Sequence, residues 1–75
     1  MSDRLPVREQ ALQVLVTGAM TYHEIAEEIG AEVGTVRRTI DRDLKRGERS
    51  PFVKLPGEDN VYRIGLRARV EAVAA

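Results

Sequence analysis

Residues 21–44 read TYHEIAEEIGAEVGTVRRTIDRDL, and this stretch decides the fold. It opens on Thr21-Tyr22-His23-Glu24, a capping box in which Thr21 stands at the N-cap and Glu24 reaches back to it from the first turn. Tyr22, Ile25, Ala26 and Ile29 share one face of the predicted helix, while His23, Glu24, Glu27 and Glu28 take the other. Gly30 is suited to the left-handed residue that ends a helix. A further helix is predicted from Gly34 or Thr35 to about Arg46, with Gly47 after it. Val36, Ile40 and Leu44 form its buried stripe. At roughly 100° per residue, Arg38, Arg42 and Lys45 fall on the opposite side, Thr35 and Arg46 flank them, and Arg37 lies to one edge. The first of these two helices, about two turns long, is too short to stand without tertiary packing. Two short helices joined by a brief glycine-bearing link read as a helix-turn-helix.

Upstream, a first helix is predicted from about Pro6 to Thr17. Pro6 suits a first turn that needs no N–H, Val7, Ala11, Val14 and Leu15 set the apolar face, Leu12 and Val16 widen it, and Gly18 ends it. Downstream, the period changes from helical to alternating. Residues 51–55 and 61–66 are strand-like around the turn cluster Pro56-Gly57-Glu58-Asp59-Asn60, a β-hairpin. An isolated hairpin is marginal, so it must pack on the helices, with Phe52, Tyr62, Ile64 and Leu66 supplying the contact. The predicted fold class is mainly α with a small β-hairpin, a winged helix-turn-helix in which the hairpin is the wing of a three-helix bundle. Residues 1–66 form that domain. Residues 67–75 are a tail, left open between a short helix and a frayed end.

The chain has 75 residues, 43 % hydrophobic and 32 % charged, with no cysteine and one histidine. A domain this short buries only about 60 % of the surface its unfolded chain exposes. That argues against an enzyme with its own substrate pocket. Without cysteine there is no disulfide and no thiolate zinc site, and a lone histidine makes a His-rich metal site a poor reading. No cofactor, metal ion or small-molecule substrate is expected. There is no apolar run of membrane-spanning length and no signal-peptide pattern at the N-terminus, so a cytoplasmic protein is expected, nucleoid-associated if it binds DNA.

Twelve basic residues balance twelve acidic ones, yet unevenly. Residues 1–36 carry two basic against six acidic residues, net −4, and residues 37–75 carry ten against six, net +4. This asymmetry permits a basic face and an acidic face on one small body.

Residues 21–30 resemble the opening motif of HARE-HTH domains, and Gly34–Leu44 resembles that family's third-helix segment. Gly47–Val53 followed by Val61–Leu66 is similar to its closing wing. The resemblance spans roughly residues 5–66. It implies a winged helix-turn-helix module of the kind found in bacterial restriction endonucleases, in chromatin factors and in the δ subunit of bacterial RNA polymerase. Most such modules are expected to bind duplex DNA, and some to bind protein. A role in transcription regulation, restriction-modification or other DNA targeting follows from the same resemblance.

The residues themselves point to duplex DNA as the partner. The third helix is expected in the major groove, with Thr35, Arg38 and Arg42 at base edges. Arginine's fork bonds guanine O6 and N7 together, worth about 1–3 kcal/mol of discrimination. Lys45 and Arg46 are expected on phosphates, with Arg37 at the edge of the same surface, and Arg49, Lys54 and Arg63 hold the DNA backbone. The bland alternative is a solvated helix face laced by Asp41–Lys45 and Asp43–Arg46 ion pairs, each worth about 0.2–0.5 kcal/mol. At the hairpin tip Glu58 and Asp59 repel phosphate, which disfavours insertion of the tip into a groove. Thr21 and Tyr22 are read as a cap and a core residue before they are read as phosphate donors, and His23 as a surface residue. A second class of function also fits: a protein-interaction module that docks a larger nucleic-acid enzyme, such as RNA polymerase, through the acidic face Glu24, Glu27, Glu28 and Glu32, or through Val70 and Val73 in the tail.

Overall fold

The computed structural model describes residues 5–69. The expectations placed on Val70 and Val73 lie outside them. The elements run α1 (Val7–Leu15), α2 (Tyr22–Ile29), α3 (Val33–Leu44), β1 (Phe52–Leu55) and β2 (Arg63–Leu66), with short 3-10 turns at Gly47–Arg49 and Glu58–Asn60.

α2 starts and stops where its sequence says. Thr21 Oγ1 accepts the Glu24 N–H at 3.2 Å, and the Glu24 carboxylate accepts the Thr21 N–H at 2.9 Å, so two orphan donors of the first turn are satisfied reciprocally. Gly30 ends the helix in the left-handed region at φ 70°. α3 begins earlier than Gly34 or Thr35. Its N-cap is Glu32, which makes no side-chain cap bond. Val33 packs partly buried against the core, so tertiary burial rather than capping chemistry sets this start. α1 is shorter than its apolar pattern, ending at Leu15, and Val16 is exposed.

Each helix packs on the other two. Between them lie Ala11 and Leu15 from α1, Ile25, Ala26 and Ile29 from α2, and Val36 and Ile40 from α3, all buried. The strands pair antiparallel, Phe52 opposite Leu66 and Leu55 opposite Arg63. β1 rests on α3 and β2 on α1. Phe52 and Ile64 are fully buried, and each such side chain contributes on the order of 2–3 kcal/mol of apolar transfer free energy. Leu66 is partly buried against the same core.

Two features depart from the expected hairpin. Tyr62 is exposed rather than part of the core. The tip residues Asp59 and Asn60 both have positive φ, β2 begins two residues later than expected, at Arg63, and Tyr62 falls outside the paired ladder. The second departure is a single extra pairing on the far edge of β2. Met20 N–H donates to Ile64 O at 3.0 Å, and Ile64 N–H donates to Met20 O at 2.7 Å. β2 is thus held on both sides, by β1 and by the residue just before the α2 cap.

The whole is mainly helical with one two-stranded antiparallel hairpin, an arrangement compatible with a helix-turn-helix plus a wing. Among the described residues no helix is long and apolar enough to cross a membrane.

Candidate nucleic-acid interface

α3 divides its side chains sharply. Val36 and Ile40 are buried, whereas Arg38, Arg42 and Lys45 are exposed and Thr35 lies half-buried beside them. Among the described residues, the side chains of Arg38, Arg42 and Lys45 make no hydrogen bond or ion pair.

That freedom follows from where the two aspartates of α3 turn. Asp43 is buried, which its charge alone did not announce. Its Oδ2 accepts from Ser50 Oγ at 2.8 Å, and its Oδ1 accepts from Arg8 Nε at 3.1 Å and Arg46 Nη1 at 3.2 Å. Burial pushes the Asp43 carboxyl up, but the three hydrogen bonds and the Arg8 charge together hold it below its ordinary value. Asp41 turns the other way and accepts the Tyr22 hydroxyl. Burial, this bond and the Asp41 charge hold the Tyr22 phenol well above its usual range, against the opposing pull of Arg37.

Of the two intrahelical ion pairs expected, Asp43–Arg46 forms and Asp41–Lys45 does not. Arg46 is therefore partly committed to the fold. Arg8 and Ser50, neither of them a candidate site residue, complete this polar cluster. The available signal was positional: Asp43 follows Ile40 by three residues and so lies beside the buried stripe.

The remaining candidates are not on one surface. Arg37 stands over the Tyr22 ring, 5.3 Å from its centre, and Lys54 stands over the Tyr62 ring at 4.6 Å. Both line an open cleft of about 420 Å³ between the start of α2, the edge of α3 and the outer end of the hairpin, with His23, Asn60 and Tyr62. Arg63 is exposed on β2, and its charge helps hold the Glu24 carboxyl low, behind the larger effect of the Thr21 backbone bond. Arg49 lines a separate, more apolar groove with Leu12, Pro51 and Leu66. Arg67, absent from the candidate set, clasps the turn after α3, donating to Ser50 O and Gly47 O, each at 3.0 Å.

Thr21 and Tyr22 are occupied within the chain, by the cap and by Asp41. Gly57, in the turn cluster, lies against the chain's own backbone: a Cβ there would run into the Val61 carbonyl oxygen. Among the described residues no group of three or more His, Asp or Glu side chains stands where it would hold a metal ion.

Scanned against protein-family models, curated proteins and solved structures, the chain gives no significant match.

Proposed function

We propose that the protein is a non-catalytic, duplex-DNA-binding winged helix-turn-helix module of the HARE-HTH type, with α3 as its reading helix in the major groove. The observation that carries this reading is the exposed face of Arg38, Arg42 and Lys45 beside half-buried Thr35, whose three cations have no partner among the described residues and which is backed by the buried Val36 and Ile40. On a solvated surface helix the neighbouring aspartates would be free to neutralise such a row. Here both are drawn elsewhere, so the positive field is left outward, as phosphate and guanine edges require. Arg46 is assigned to a backbone contact beside that face, and Arg49 and Arg63 to outlying backbone contacts on other surfaces.

The competing reading is a docking module for a larger nucleic-acid enzyme, favoured by the exposed acidic row Glu24, Glu27 and Glu28 on α2. One experiment separates the two. Arg38→Ala with Arg42→Ala is expected to abolish most binding to mixed-sequence duplex DNA at low salt while leaving thermal unfolding unchanged, since neither side chain has a partner to lose among the described residues. Wild-type affinity in that double variant removes the DNA reading. Failure of the wild-type chain to bind duplex at all favours the docking module.

A further inference from the structure

We propose that the cleft between α2, α3 and the hairpin is a second binding site, which takes a single nucleotide: one phosphate between Arg37 and Lys54, and one planar base on the ring of Tyr62. This goes beyond the duplex reading and stands without it, because the cleft does not use Arg38, Arg42 or Lys45.

Three observations carry it. Arg37 and Lys54, far apart in sequence and on different elements, line one cleft, and among the described residues neither is tied to a carboxylate. Among the described residues Asp41 is the acidic group lining that cleft, and it already accepts the Tyr22 hydroxyl. Tyr62, at 48 % exposure, is a large aromatic ring held at the cleft rather than folded into the core.

The chemistry follows from what the cations now rest upon. A cation on a ring face occupies the place a flat π system takes when it stacks. When Lys54 leaves the Tyr62 ring for a phosphate, that face opens to a base. Arg37, over Tyr22 on the other wall, supplies a planar fork matched to two oxygens of that phosphate. A stacked base adds to affinity with little regard to its identity, so the site is selective for nucleotide over bare phosphate, but tolerant of base. The same chemistry is offered by a free mononucleotide and by the unpaired end of a DNA strand.

The test is amide chemical-shift titration of the labelled full chain with deoxyadenosine monophosphate, inorganic phosphate, and two duplexes, one blunt and one ending in an unpaired 5′-phosphorylated adenosine. Saturable shifts confined to Arg37, Lys54, Asn60, Val61 and Tyr62 are expected from the mononucleotide or from the unpaired end. The stronger of the two identifies the source. Tyr62→Ala is expected to weaken nucleotide binding about tenfold, the share of one stacked base, while leaving inorganic phosphate binding unchanged. Lys54→Ala is expected to weaken both. The Arg38→Ala, Arg42→Ala double variant keeps nucleotide binding whether or not it loses duplex binding. Equal affinity for nucleotide and phosphate, or no shift in the cleft from either the mononucleotide or the unpaired end, overturns the proposal.

Discussion

Ser50 Oγ donates to Asp43 Oδ2 at 2.8 Å and accepts the Phe52 N–H at 3.1 Å, so one hydroxyl joins a buried carboxylate on α3 to the first residue of β1. With Arg8 on α1 completing the cluster, this is the polar junction where three parts of the chain meet. A domain of this length has about 4–11 kcal/mol of total stability, so a junction of this kind is a large share of it.

Removing the carboxylate is therefore expected to be severe. Asp43→Ala strands the buried Ser50 hydroxyl and loses two arginine contacts, at a cost of about 2–4 kcal/mol. Asp43→Asn keeps an acceptor and is expected to cost roughly half as much. Urea denaturation followed by circular dichroism measures both. An alanine variant within about 0.5 kcal/mol of wild type, the range of ordinary surface substitutions, removes the junction from the account.

Acid should act through the same group. The folded Asp43 carboxyl sits below its ordinary value of 3.8. Its stabilising contribution is then fully present above that value and is lost as pH falls through the lower folded value. Glu24, in the capping box, is depressed in the same direction. The melting temperature is expected to decline as pH drops below about 4. In Asp43→Asn that decline should be shallower, with a lower plateau at neutral pH. An unchanged acid limb in the variant assigns the loss to other carboxylates.

Gly57 is expected to tolerate no side chain. A Cβ at this position collides with the Val61 carbonyl oxygen, which is backbone and has no rotamer to yield. Gly57→Ala should cost about 1–3 kcal/mol, typical of overpacking, and the disturbance should centre on the tip. Cross-strand nuclear Overhauser contacts between Leu55 and Arg63 report it, and their survival at wild-type strength together with unchanged stability contradicts the assignment.

Salt separates reading contacts from holding contacts. If Lys45 meets a phosphate, Lys45→Ala lowers the slope of log K against log salt by about one and weakens all duplexes alike. Arg38→Ala should instead narrow the preference among sequences by about 1–3 kcal/mol. Competition binding at several salt concentrations distinguishes them, and identical behaviour of the two variants leaves α3 with no reading role.

Much of this was legible in the residues, for physical reasons that differ by element. α2 was readable because its boundaries are local chemistry: Thr21 and Glu24 cap each other, and Gly30 takes a conformation other residues resist. The aliphatic stripe and cationic face of α3 were readable because the helical period separates them. The start of α3 was not, since burial of Val33 rather than a cap decides it. Nor was the position of Tyr62, which depends on two consecutive left-handed residues at the tip. The Met20–Ile64 pairing leaves no periodic trace, being one residue wide. The cleft was hidden for the same reason that makes it interesting: Arg37 and Lys54 meet only in three dimensions.

The Met20–Ile64 bridge has a mechanical meaning. It stitches the strand of the hairpin to the residue that immediately precedes the α2 cap, so β2 has no hinge on that side. Strand and helices must travel together, and their relative orientation is set before any partner arrives. A ligand pressed against both surfaces meets something closer to a stamp than to a pair of fingers, and little of the binding free energy is spent on ordering the protein.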